Sequence, residues 1–197
     1  MMKRLLDLLL SSIGLILLLP LFLVISIWIK LDSKGPVFFR QERVGRYGVP
    51  FRIFKFRTMS TDSEQKGRLT VGNDQRITKV GHFLRHYKID ELPQLIDVLR
   101  GTMSLVGPRP EVQEFVDYYT PHQKEVVLSV RPGITDEASI MMVDENQILG
   151  QYDDPKEAYI RYVLPQKLQY YEAYVKSHSW IKDLKIIYKT IHKIMAR

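Results

Sequence analysis

Two adjacent carboxylates, Asp90 and Glu91, stand in the stretch KIDELPQLIDVLRGTMSLVGPRP, residues 88–110, directly before a Leu-Pro step and with arginines at 85, 100 and 109 around them. Such a pair suits phosphoryl chemistry. One carboxylate can attack a phosphorus and form an acyl phosphate while its neighbour helps hold a hard divalent cation on the phosphate oxygens. Arginine forks match those oxygens. The same residues also fit an ordinary helix start, with Asp90 as N-cap and Glu91 and Pro93 in the first turn. Capping and chemistry are compatible, because a helix N-terminus itself stabilises anions.

The chain of 197 residues is long enough for one compact domain with attachments. It has no cysteine, which excludes a disulfide framework and a thiolate metal site. The net charge of +7 is localised: residues 34–109 hold 15 Lys/Arg against 7 Asp/Glu, whereas residues 110–197 hold 11 against 13. The positive field therefore surrounds the two carboxylates. It favours polyanions, whether nucleic acid, anionic lipid headgroups or phosphorylated small molecules.

From Leu8 to Ile29 no residue is charged, and a helix of that length spans about 33 Å, close to the hydrocarbon thickness of a bilayer. The run is longer than a signal-peptide core and no small-x-small cleavage site follows it. A spanning helix is the plain alternative. Against it, Lys3 and Arg4 precede the segment and Lys30 and Lys34 follow it, so both flanks prefer the cytoplasmic side. Pro20, near the middle, removes a helical hydrogen bond and favours a bend. A kinked helix that enters and leaves by one face satisfies both features.

At the other end, WIKDLKIIYKTIHKIMAR places Trp180, Leu184, Ile187, Ile191 and Ile194 at helical spacing with Lys182, Lys185, Lys189 and Lys193 between them. This pattern predicts an amphipathic helix, either packed on the core or lying at a membrane surface. PVFFRQERV and PFRIFKFRTM flank Gly45-Arg46-Tyr47-Gly48 and predict a β-hairpin. Alternation in the second strand puts Ile53, Lys55 and Arg57 on one face, so that Lys55 and Arg57 reach out together toward a phosphate or guard a solvated edge. Residues 60–76 are polar and predict a loop. Two short helices are expected before Gly101, the second from about Glu91 to Arg100, and the tail from residue 152 onward reads as helical.

These blocks, together with RPGIT at 131–135, resemble the bacterial sugar transferases, the monotopic phosphoglycosyl transferases that begin polyprenyl-linked glycan assembly. The resemblance implies an α+β, mostly helical fold. It would comprise a re-entrant membrane-anchoring helix over 1–33 and a compact cytosolic, membrane-associated catalytic domain over 34–197, with amphipathic interfacial helices. It further implies transfer of a sugar-1-phosphate from a UDP-sugar to undecaprenyl or another polyprenyl phosphate, with release of UMP, on the cytoplasmic face of the inner membrane. Asp90 would attack the sugar-bearing phosphorus, and Asp90 and Glu91 would support Mg2+. Lys55, Arg57, Arg85, Arg109 and Arg131 become the phosphate-binding candidates, and Pro20 the helix break. Downstream glycosyltransferases would use the product, and nucleic acid is not an expected partner. The chain has Leu19 where many members have serine, and DEASIMMVDENQIL after Thr135 where many have a Gly-Trp-Ala-Gln type of continuation. Two other classes fit parts of the sequence: a membrane-tethered nucleic-acid binder, from the basic and Phe-rich middle, and a non-catalytic membrane scaffold. The first leaves the carboxylates unexplained, since they repel a polyphosphate.

Overall fold

The structure is a computed structural model that describes residues 2–61, 74–142 and 145–196. It is α+β and mostly helical, with a long apolar helix, α1 (Met2–Asp32), leading into an antiparallel hairpin of β1 (Phe38–Val44) and β2 (Pro50–Phe56). The hairpin is the one expected; Phe38 pairs with Phe56 and Val44 with Pro50, and the turn between them uses positive φ at Tyr47 (60°) and Gly48 (76°). The expected polar loop lies for residues 62–73 outside the described residues. A bridge between Met59 and Ile77 closes its base.

Next come α2 (Lys79–His86), a 3₁₀ turn at Ile89–Glu91, and α3 (Gln94–Arg100). Thr78 caps α2 through its hydroxyl, and Gly101, at φ 83°, ends α3 as its sequence predicts. The start of α3 differs from expectation: Asp90 lies inside the 3₁₀ turn and Pro93 occupies the N-cap, so Asp90 does not cap the helix. Strand β3 (Ser104–Val106) pairs in parallel with β4 (Gly133–Thr135), with α4 (Gln113–Val116) and α5 (Pro121–Val127) between them. The short α6 (Glu137–Met141), α7 (Glu145–Leu149) and α8 (Pro155–Ala158) follow. A π turn at Tyr159–Val163 then joins α8 to α9 (Leu164–Ser177), and α10 (Trp180–Met195) completes the chain. Pro165, at the start of α9, has no N–H to give back, which suits the widened turn before it.

One seam of α1 packs on the body of the protein along its length. Asp7, Ser11, Phe22, Ile25 and Ile29 are buried, Leu15 and Leu18 are partly covered, and a Cβ at Gly14 would meet Leu95 at 3.3 Å. Spacings of three and four residues make this one stripe of a helix. Toward its carboxyl end Phe22, Ile25 and Ile29 join Phe56, Val80 and Leu84 in a core cluster. Toward its amino end Lys3, Arg4 and Asp7 bond to β3, α3 and α10. Both ends therefore dock on the same domain. The opposite face leaves Ile13, Ile16, Leu17, Leu23, Val24 and Ile27 exposed, and α1 is long and apolar enough to enter a membrane. The helix continues through Pro20, which gives no hydrogen bond to the Ile16 carbonyl.

In α10 the sequence-derived stripe divides. Ile186 and Ile187 pack with Val106 and Tyr174, while Trp180, Ile181, Leu184, Tyr188, Ile191 and Met195 are exposed among the lysines. The helix thus packs on the core by one face and presents apolar side chains on another.

Candidate active site

Lys88 lies in the left-handed region, at φ 56°, a conformation that is uncommon outside glycine and concentrates at functional sites. It turns the chain from the end of α2 into the 3₁₀ turn, where Asp90 is only 7% exposed. The approach of α2 is close: a Cβ at Gly81 would sit 2.1 Å from the Thr58 carbonyl oxygen. Only glycine permits that contact. It brings Arg85 to Thr58, whose hydroxyl accepts from Nε at 2.9 Å.

Three cations meet the carboxylate pair from three elements. Lys55 of β2 donates from Nζ to Glu91 Oε1 at 2.7 Å. Arg109, in the Gly-Pro-Arg-Pro loop after β3, forks onto Glu91, Nη1 donating to Oε2 at 3.1 Å and Nη2 to Oε1. Arg85 completes the set and feels the charge of both Asp90 and Glu91. The loop is set by its glycine. A Cβ on Gly107 would lie 2.5 Å from the Arg131 carbonyl oxygen, so β3 and the chain before β4 touch backbone to backbone there.

The two carboxylates are held in opposite electrostatic states. Burial pushes Glu91 up, but Arg109 and Lys55 outweigh it and hold its carboxyl well below the usual range. Asp90 is pushed up, first by burial and then by the neighbouring charge of Glu91, with Lys55 and Arg85 offsetting only part. Its Oδ1 is buried without a hydrogen-bond partner. Asp90 is therefore the under-solvated member, held toward its protonated form, and Glu91 the fixed counter-charge. Lys55, Arg85 and Arg109 against Asp90 and Glu91 leave one net positive charge toward an incoming anion.

Two predicted phosphate contacts lie elsewhere. Arg57 is engaged by the chain after α1: its Nε donates to the Pro36 carbonyl at 2.6 Å, Nη1 to Ser33 Oγ at 2.6 Å and Nη2 to the Ser33 carbonyl at 2.8 Å. It clamps the end of α1 to β2. Arg131 donates from Nε to the Gly101 carbonyl at 2.7 Å, at the far end of α3 from Asp90. Strand alternation cannot tell that the chain at the end of α1 takes up the Arg57 guanidinium.

Sequence reasoning missed a supporting layer. Arg43 of β1 donates to the Pro110 carbonyl at 3.1 Å and to Gln41 Oε1 at 2.6 Å, bracing the Arg109 loop. Glu111 is buried and accepts from the Tyr159 hydroxyl at 2.6 Å. Asp136 is buried near Arg109 and caps α6 through Ser139. Glu111 had a signal, since it directly follows Gly-Pro-Arg-Pro. The others come from distant elements and had none.

Among the described residues no cluster of three or more metal-ligating side chains exists. The pair nevertheless fits a hard cation of the Mg2+ type, which takes one or two carboxylates and completes its shell with water and substrate phosphates. Asp90 Oδ1 is buried and carries no donor, whereas both oxygens of Glu91 already carry donors.

The bacterial sugar transferase family model matches residues 1–197. Over 98% of the chain, 39% of residues are identical to a UDP-N-acetylgalactosamine-undecaprenyl-phosphate N-acetylgalactosaminephosphotransferase of Aeromonas hydrophila. A UDP-glucose:undecaprenyl-phosphate glucose-1-phosphate transferase of Klebsiella pneumoniae is 40% identical over 97% of the chain. The chain spans 44% and 39% of the length of these two relatives. It spans 88% of an uncharacterised sugar transferase of Bacillus subtilis, with 36% identity over 99% of the chain. With the match running end to end, the chain belongs to the bacterial sugar transferase family.

Proposed function

We propose that this protein moves a sugar-1-phosphate from a UDP-sugar to undecaprenyl or a related polyprenyl phosphate, releasing UMP, at the cytoplasmic face of the inner membrane. The observation that carries the reading is Asp90: a buried carboxylate with an unpartnered oxygen, raised in pKa, beside a glutamate neutralised by Lys55 and Arg109. The names of the relatives supply the substrate classes.

In the proposed reaction an oxygen of ionised Asp90 attacks the sugar-bearing phosphorus. The new Asp90–phosphorus bond forms as the bond to the bridging oxygen breaks, and UMP leaves with that oxygen and the electron pair. A phosphate oxygen of the polyprenyl acceptor then attacks the same phosphorus and frees Asp90. Lys55, Arg85 and Arg109 offset the diphosphate charge as it redistributes. Magnesium, when bound at Asp90 with support from Glu91, supplies further charge neutralisation on the phosphate oxygens. Arg57 and Arg131 hold the scaffold in this scheme.

Access for a lipid-borne acceptor is the second requirement. Both ends of α1 dock on one domain, which suits a helix that enters and leaves the membrane by the same face and not one that carries its ends to opposite sides. The exposed apolar side chains of α10 and the contact of exposed Trp28 with Phe83, ring centroids 5.3 Å apart, suit an interfacial seat. Glycan assembly downstream would consume the product.

Purified protein incubated with a panel of nucleotide sugars, magnesium and undecaprenyl phosphate tests the reading. We expect UMP release with a UDP-sugar, and with donor alone a phosphosugar adduct on Asp90 by mass spectrometry. Full activity without any adduct would remove Asp90 as nucleophile. Cysteines placed at residues 2 and 34 test topology: both should label from the cytoplasmic side, and labelling from opposite sides would establish a spanning helix.

A further inference from the structure

The amino-terminal turns of α1 reach into the elements that carry the site. Lys3 Nζ donates to the Val106 carbonyl at 2.9 Å and to Asp183 Oδ2 of α10 at 2.6 Å. Tyr174 of α9 bridges the same two groups, at 3.0 Å and 2.7 Å. Asp7 accepts from the Leu105 N–H at 3.1 Å and from Ser104 Oγ at 2.9 Å, standing where a neighbouring strand would stand on the free edge of β3. Ser104 Oγ also reaches the Val106 carbonyl, at 3.0 Å.

Proton counting singles out Lys3. The hydroxyls of Tyr174 and Ser104 each have one proton for two acceptors, whereas an ammonium has three. Of these donors, Lys3 can therefore hold Val106 and Asp183 at once. From Val106 to Arg109 is only three residues, about 10 Å of chain at full stretch. Pro108 and Pro110 stiffen that span. Gly107 is also pressed against Gly133, whose Cβ would lie 2.1 Å from the Gly107 nitrogen. A shift of Val106 has little slack to absorb it before Arg109.

We propose that Lys3, with Asp7 and Asp183, positions Arg109 on Glu91, so that the seating of α1 and α10 against each other sets the geometry of the transfer site. These are positioning residues that touch no substrate, and the kinetic part of the inference rests on the proposed function.

The test uses the full chain in lipid nanodiscs. Lys3→Met should lower kcat/KM about tenfold, chiefly through KM for the UDP-sugar, while Lys3→Arg stays within about twofold of wild type. In an Arg109→Lys background the same Lys3→Met change should add less than about twofold, because its effect passes through Arg109. Asp183→Asn should repeat the pattern. Lys176→Met breaks an ion pair with Glu172 on α9, 3.9 Å, that touches none of these groups, and should leave the kinetics unchanged. An undiminished Lys3→Met effect on top of Arg109→Lys would overturn the inference, as would wild-type kinetics in both Lys3→Met and Asp183→Asn. Amide hydrogen exchange on the same samples needs no turnover. Lys3→Met should quicken exchange over residues 104–110 and leave the 38–56 hairpin unchanged. Unaltered exchange at 104–110 defeats the inference even if no sugar donor is ever turned over, whereas quickened exchange in a protein that releases no UMP defeats only the proposed function.

Discussion

The segment from Lys88 to Gly101 carries charged groups at both ends, and the two ends treat them oppositely. At the carboxyl end, Arg4 donates to the Val98 and Leu99 carbonyls at 2.7 and 3.3 Å and Arg131 to the Gly101 carbonyl at 2.7 Å. Cations there meet the negative pole of α3 and its orphan carbonyls. At the amino end, Asp90 is buried with one oxygen unpartnered and Glu91 is tied to two cations. The same segment is thus satisfied at one end and left in electrostatic tension at the other. The proposed chemistry falls at the end in tension, and the saturated end holds the scaffold.

Breaking the amino end should have the largest effect. Asp90→Asn should lower UMP release by at least about a thousandfold with unchanged membrane partition, as loss of a nucleophile does. Its effect on stability has the reverse sign. Because the folded carboxyl holds its proton to higher pH than the unfolded one, native stability falls as pH rises from the ordinary aspartate range through the raised value. A neutral Asn removes that fall, so the variant should melt above wild type at neutral pH. A lower melting temperature would show Asp90 to be a supporting group.

Glu91→Gln should come next, with transfer down about a hundredfold. It removes the counter-charge of half-buried Lys55 and Arg109, a break that costs about 1.5–3 kcal/mol by denaturant unfolding. The pair thereby splits: one carboxylate neutralised with a gain in stability, its neighbour with a loss. The pH–rate profile sharpens this further. Transfer should rise with pH as Asp90 ionises, and because the Glu91 charge helps raise Asp90, Glu91→Gln should move that rising limb to lower pH. A limb that stays in place would mean another group controls it.

The carboxyl end should respond least. Arg131→Ala should destabilise by about 1 kcal/mol through the lost bond to Gly101, with kcat/KM within about threefold of wild type. A larger kinetic loss would place Arg131 on the substrate and erase the contrast between the ends.

Local rules read much of this from the chain. The hairpin follows from its aromatic strands and glycine turn and the stop of α3 from Gly101, while Lys55 and Arg109, phosphate-binding candidates by resemblance, lie on Glu91 in the structure. What escaped depends on tertiary contacts. Asp90 looked like an N-cap because nothing in KIDELP announces that Lys88 adopts a left-handed backbone. Arg57 looked like a ligand because alternation does not know that Ser33 and Pro36 return over β2. Arg131 is next to Pro132 and Gly133 in sequence, yet its partner is thirty residues earlier at Gly101. In each case a distant segment decides the role of a locally ambiguous side chain.

The buried stripe along α1 makes that helix part of the domain's own interior. Trimming the chain back beyond Asp32 would strip Phe22, Ile25 and Ile29 from Phe56, Val80 and Leu84 and leave a bare greasy trough beside Ile89 and Leu92. Each of those three side chains is worth about 1.5–3 kcal/mol of burial. Solubilising this protein by amputation should therefore yield clumped material rather than a detergent-free catalyst.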